Sequence, residues 1–147
     1  MKRVLAVASS GGHWIQLCRL QPAFKGGDVA YLSTNSQHGK EVGGKIYTVI
    51  DANQWNKFRM ALMFMQVAIV VLIVRPNVVI STGAAVGFAA IFWGKLFGAK
   101  TIWIDSIANA EELSASGAKV GSLADVWLTQ WEHLAKPDGP QYWGSVL

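Results

Sequence analysis

One histidine in this chain stands directly behind two glycines, in the run Ser9-Ser10-Gly11-Gly12-His13. An apolar, strand-like stretch precedes the run and a helical pattern follows it. A second glycine-rich run, Ser81-Thr82-Gly83-Ala84-Ala85-Val86-Gly87, also lies between a strand pattern and a helical one. The first N–H groups of a helix have no acceptor within it and sit at the positive end of its dipole, so they suit a phosphate or diphosphate. Glycine lets such a group approach the backbone. Ser10, Gly11, Gly12, Thr82, Gly83, Ala84 and Gly87 are therefore candidate diphosphate contacts. His13, at the positive end of its helix, is expected to stay neutral and to accept a proton near pH 7, as a general base on a hydroxyl would. A histidine that only caps the helix or packs beside it would occupy the same position. A third polar run contains Asp105, Ser106 and Asn109. Asp105 closes a strand pattern, where it would contact a ligand or cap the next helix.

The elements that position these residues alternate along the chain. Strands are expected at 3–9, 28–33, 45–51, 77–81, 100–104 and 125–129. Helices are expected at 13–20, 53–74, 84–97 and 111–124, the last with a break at Gly117 and with Glu111 and Glu112 in its first turn. Arg75-Pro76 should stop the long helix, and the tail beyond 129 reads as loop. Such alternation implies an α/β fold with a doubly wound, mainly parallel sheet covered on both faces. With strand order 3-2-1-4-5-6, the loops after the first and fourth strands meet at the switch point where ligands bind. At 147 residues the chain is one domain, with no internal repeat.

Several chemistries are disfavoured. The first strand is not followed by G-x-G-x-x-G, and the second ends in Ser33-Thr34-Asn35 in place of a ribose-binding acid, which argues against a dinucleotide. There is no G-x-x-x-x-G-K-[ST], and Val79 spoils a G-x-S-x-G elbow at Ser81. The single cysteine, Cys18, and the scattered His13, His38 and His133 argue against a dedicated metal site, and no cofactor is expected. A net charge of +4 favours anionic partners, but the basic residues form no stripe, so nucleic acid is the weakest of them.

Charged residues make up only 15% and hydrophobic ones 52%, with seven tryptophans, so part of the surface is expected to meet a partner or a membrane unless the aromatics fill a tight core. The apolar stretch at 4–8 is too short for a signal peptide. Residues 60–74, MALMFMQVAIVVLIV, carry no charge, and Trp55, Lys57, Phe58 and Arg59 precede them. This is an aromatic and basic flank of the kind found at bilayer margins. The segment reads first as a buried sheet-covering helix and next as an interfacial or re-entrant one, and it is shorter than the roughly twenty residues that a spanning helix needs. Trp55, Phe58, Arg59 and Met63 are the candidate membrane contacts.

Four runs in order, SSGGH, ISTGAAVGFAA, IWIDSIANAEELSASG and LADVWLTQWEHL…YWGSVL, resemble a family across nearly the whole chain. It is the membrane-associating, acceptor-binding subunit of the split dolichyl-diphosphate N-acetylglucosamine transferase, with its bacterial counterparts in capsule and exopolysaccharide synthesis. The resemblance implies a Rossmann-like amino-terminal lobe of a GT-B glycosyltransferase. It implies a hexosyltransferase, inverting and metal-independent, active only with a separate donor-binding subunit that brings the nucleotide sugar. The acceptor would be a polyprenyl-diphosphate-linked saccharide, and the place the inner, cytoplasmic face of the cell membrane, held peripherally. A related peptidoglycan transferase has a similar glycine loop ending in histidine, which makes His13 the implied base. Its second glycine loop corresponds to residues 83–87, and the family's acid-serine pair to Asp105-Ser106. Eukaryotic members carry an amino-terminal anchor, whereas this sequence opens on the first strand, so anchoring is expected from 53–74 or the partner. A non-catalytic recruiter that docks and activates the partner remains the alternative.

Overall fold

Short runs rich in Val, Ile, Tyr and Trp, bounded by Gly, Pro, Asn and Asp, form the strands. They are β1 (Arg3–Val7), β2 (Asp28–Ser33), β3 (Lys45–Thr48), β4 (Val78–Ser81), β5 (Lys100–Ile104), β6 (Val126–Thr129) and β7 (Gln141–Tyr142). In the computed structural model, which describes residues 1–146, they make one sheet in the order β3-β2-β1-β4-β5-β6-β7. Every neighbouring pair is parallel. The helices are α1 (Gly12–Arg19), α2 (Gly39–Val42), α3 (Lys57–Val74), α4 (Ala84–Leu96) and α5 (Ala115–Lys119). The doubly wound α/β fold with its switch point between β1 and β4 is as the sequence implies.

Alternation along the strands divides the core in two. Leu5, Val7 and Val79 point to one side and pack under α3 and α4, with Val67, Val71, Ala90 and Ile91. Ala6, Ala8, Ile80 and Ile104 point to the other and pack under α1, with Trp14 and Leu17. Helix α4 lies close enough to the sheet that a Cβ at Gly94 would come within 2.7 Å of Val79 Cγ2.

The long apolar helix serves two environments. Met63, Val67, Val70 and Val71 are buried, while Phe58, Leu62, Met65, Ile69, Leu72 and Ile73 are exposed. Their spacing puts the two sets on opposite faces. At roughly 1.5–3 kcal/mol per buried aliphatic side chain, the inner face accounts for the docking of α3 by itself. With 18 residues, α3 is long and apolar enough to cross a membrane by length and composition, yet one face is committed to the sheet. Arg75, at φ 50, and Pro76 end it as expected.

Other boundaries differ from expectation. Residues 53–56 stay outside α3 because Asn53 Oδ1 accepts from Trp55 N at 2.9 Å and Asn56 Oδ1 caps Arg59 N at 3.0 Å. The helix expected at 111–124 is only Ala115–Lys119 with a 3₁₀ turn at Val120–Ser122. Ser114 caps it by accepting from Gly117 N at 2.9 Å, so Glu111 and Glu112 are exposed turn residues and not its first turn. The tail carries the edge strand β7, paired with Leu128 and Thr129.

Candidate functional site

Gly11 caps α1 at φ 83, ψ −141, a conformation that glycine alone adopts readily. Ser10, Gly11 and Gly12 are exposed, and a Cβ at either glycine would meet nothing within 4 Å. Gly12 therefore answers neither to a left-handed backbone nor to a packed neighbour. The first helical bond runs from Ile15 N to the Gly11 carbonyl at 3.2 Å, so the amides of Gly12, His13 and Trp14 lack helical acceptors. No side chain caps them. Ser10 N donates to Thr34 Oγ1 at 3.3 Å, which ties the turn to the loop after β2.

The β4–α4 turn faces this one across the switch point. Gly83, at φ 145, caps α4, again without a side-chain cap, and Ala84 follows at φ 68. That left-handed alanine costs of order 1–3 kcal/mol, strain of the kind that collects at functional sites. His13 Nδ1 lies 3.1 Å from the Thr82 carbonyl oxygen, and Thr82 Oγ1 donates to the His13 carbonyl at 2.6 Å. A carbonyl can only accept, so Nδ1 carries a proton, and in the neutral imidazole Nε2 then keeps its lone pair. The ring lies so close to Gly83 that a Cβ there would collide with Nδ1 and come within 3.2 Å of Cγ. His13 itself is half-buried, open to solvent in part.

Its neighbour Trp14 is fixed from below. The indole stacks on His38, with ring centroids 4.1 Å apart and planes 6° from parallel, and its Nε1 donates to Glu41 Oε2 at 2.5 Å. His38 Nδ1 pairs with Ser33 Oγ at 2.6 Å. Burial holds the His38 pKa below the ordinary histidine range, and the Glu41 carboxylate opposes that shift.

Asp105 and Ser106 of the third run support the site and do not open into it, while Asn109 is half-exposed. Asp105 is 1% exposed, and its carboxylate accepts from Trp103 Nε1 at 3.1 Å, Ser114 Oγ at 2.6 Å and Ser114 N at 3.0 Å. A substrate contact through that carboxylate is replaced by a structural one, because it is buried and accepts three hydrogen bonds from the protein. Gly117 allows this, since a Cβ there would collide with Asp105 Oδ1. Ser106 is also buried, accepting from Gln16 Nε2 and Ala108 N at 3.1 Å each. Asn109 N closes the turn on the Ser106 carbonyl at 3.1 Å.

Two residues that sequence reading missed organise this loop. Gln16 Oε1 accepts from Gln130 Nε2 at 2.6 Å and from Ile107 N at 3.2 Å, and Gln130 Nε2 also reaches the Asp105 carbonyl at 2.9 Å. Both side chains are nearly fully buried. Gln16 follows His13 by one helical turn and shares its face, a signal available in the sequence. Nothing local marks Gln130.

Further expectations are corrected. Thr82 is fully buried with its hydroxyl spent on the His13 carbonyl, and Gly83 is buried beneath the His13 ring, so neither is an open contact for a diphosphate. Gly87 is buried, and a Cβ there would collide with Ser81 Oγ and meet the Trp103 ring at 3.2 Å, so it serves packing and offers no approach to a ligand. Met63 is 1% exposed on the inner face of α3 and is not available to a membrane. Trp55 and Phe58 do stand out, 85% and 79% exposed, while Arg59 donates to the Asp51 carbonyl at 3.2 and 2.9 Å. Among the described residues no group of three or more His, Cys, Asp or Glu side chains gathers as a metal would need.

The arrangement thus offers two uncapped helix starts side by side and an imidazole with a free nitrogen between them. A family model described as "Oligosaccharide biosynthesis protein Alg14 like" matches residues 37–146, a stretch that holds the second turn and lacks the first. No curated protein sequence matches the chain significantly. Among solved structures, MurG of Acinetobacter baumannii is similar with a TM-score of 0.80 and 15% identity, covering 97% of this chain and 45% of that one. A UDP-N-acetylglucosamine 2-epimerase from Rickettsia bellii gives 0.68 and 16%, covering 90% and 40%. The S. aureus MnaA–UDP structure gives 0.66 and 16%, covering 88% and 38%. The chain spans less than half the length of each. At these identities the likeness is one of fold, that of the Rossmann-like amino-terminal lobe of GT-B glycosyltransferases.

Proposed function

The chain belongs to the Alg14-like family of oligosaccharide biosynthesis proteins, and from that premise we propose that it is the acceptor-binding half of a two-component glycosyltransferase. The acceptor is a polyprenyl-diphosphate-linked saccharide of capsule or exopolysaccharide synthesis. Its diphosphate lies against the free amides at the starts of α1 and α4, where the helix dipoles favour negative charge. A separate subunit supplies the donor lobe and the nucleotide sugar, and the pair acts at the cytoplasmic face of the membrane, with Trp55 and Phe58 against lipid.

The carrying observation is the contact between His13 Nδ1 and the Thr82 carbonyl at 3.1 Å. It leaves Nε2 as a proton acceptor beside both turns. In an inverting transfer the acceptor hydroxyl oxygen attacks the anomeric carbon of the donor, and the bond from that carbon to the nucleotide diphosphate breaks. His13 Nε2 takes the hydroxyl proton, and the nucleotide diphosphate leaves within the partner lobe. General-base assistance of this kind contributes about 10²–10⁴-fold. Leaving-group stabilisation by helix N-termini and backbone amides would make a metal unnecessary.

The second reading is a recruiter that only docks and activates the catalytic partner. The close fit of the His13 ring over Gly83 favours it, because a histidine that ties two turns together would look the same. His13→Ala separates the two in the reconstituted pair. Transfer lowered about 10²-fold or more with the complex intact supports the base. Unchanged transfer supports the recruiter.

A further inference from the structure

A cavity of ≈ 500 Å³ opens beside the second glycine turn, on the α3–α4 side of the sheet. It falls in the range of roughly 300–1,000 Å³ typical of small-ligand sites. Met60 and Phe64 of α3 and Phe88 of α4 form its apolar wall, with the Phe64 and Phe88 ring centroids 6.3 Å apart. Ala85 lines it as well, directly after Ala84 with its left-handed φ. Ala85 and Phe88 lie one turn apart and share a face of α4. Among the described residues the only charged lining residue is Lys119 of α5, and Trp55 stands exposed at the edge.

We propose that this cavity holds the first isoprene units of the lipid-diphosphate acceptor. The assignment rests on the reading of the two turns given above and extends it to the hydrocarbon. A ligand that reaches both the uncapped amides of α4 and this cavity joins an anionic group to an apolar chain, as the diphosphate of the reading above is joined to its polyprenyl chain. The single cation fits the anionic end, and the aromatic wall fits the chain. A fatty acid has the chain without the diphosphate, and a free diphosphate has the reverse.

Calorimetry on the whole chain tests this with four probes: farnesyl diphosphate, inorganic diphosphate, farnesol and myristate. Farnesyl diphosphate is expected to bind at least about tenfold tighter than inorganic diphosphate. Ala115→Phe places a ring on the α5 wall from an exposed position and should abolish that advantage while inorganic diphosphate binds as before. Ser116→Phe on the same wall should do likewise, and thermal melts check that both variants fold. Farnesol binding that Ala115→Phe removes, with no diphosphate binding at all, would uphold the cavity and refute the anion site at the turns. The cavity assignment is overturned if farnesyl diphosphate gains nothing over inorganic diphosphate, if both folded variants bind it unchanged, or if myristate competes equally.

Discussion

His13 and Thr82 hold each other in both directions: the imidazole Nδ1 donates to the Thr82 carbonyl at 3.1 Å, and the Thr82 hydroxyl donates to the His13 carbonyl at 2.6 Å. The pair fastens the turn after β1 to the turn after β4, and it sets the imidazole where a Cβ on Gly83 would otherwise sit. Gly83→Ala should therefore push the imidazole aside and force an alanine into φ 145. A misplacement of about 1 Å at a reacting group can cost about 10²-fold, so transfer by the two-subunit enzyme should fall by roughly that factor. Urea unfolding should show a loss of about 1–3 kcal/mol. Wild-type transfer rates in the folded variant would count against His13 as the base.

Asp105 distinguishes a supporting role from a contacting one. Asp105→Asn keeps the size but places a donor among the donors of Trp103 and Ser114. Hydrogen bonds to a charged group contribute about 1.5–3 kcal/mol, and urea titration should show a loss of that order. Transfer lost at unchanged stability would instead put the carboxylate on the substrate.

The His38 environment predicts a pH dependence with a definite sign. Burial holds its folded-state pKa below the usual value, so between the two values the unfolded chain binds more protons. Its contribution to stability is complete above about pH 6.5 and is lost as pH falls below that toward the folded value. The urea midpoint should drop between about pH 7.5 and 5.5 in the wild type and drop less in His38→Phe, which preserves a ring against Trp14. Equal slopes in the two proteins would assign the acid sensitivity elsewhere.

The outer row of α3 predicts membrane adsorption. Met65 and Ile69 are 59% and 53% exposed, so replacing both with Glu should change unfolding free energy by no more than about 0.5 kcal/mol per site. Co-sedimentation with anionic vesicles should fall at least about tenfold, since buried apolar area drives such binding. Retained sedimentation would move the lipid contact away from this face.

The parallel α/β plan was legible because its signals are short in range. Apolar runs of strand length alternate with helical patterns, and the switch-point rule then sets the turn after Val7 beside the turn after Ser81. His13 and Gly83 are paired by that rule from the sequence alone. Arg75-Pro76 marked the end of α3 for a similar reason, since both act through their own backbone.

Other features depended on partners far along the chain. Residues 60–74 hold a single polar side chain, Gln66, so periodicity cannot say which face is buried; only packing on the sheet divided Met63, Val67 and Val71 from Met65, Ile69 and Ile73. Asp105 stands at a strand end in either role, and its direction was set by Trp103 and by Ser114 from the next helix. Gln16 meets Gln130 across 114 residues, and β7 forms from two residues that carry no strand pattern of their own. A hydrogen bond of that kind leaves no local trace, because a lone polar side chain gains stability only when folding has brought its partner within reach and removed the water between them.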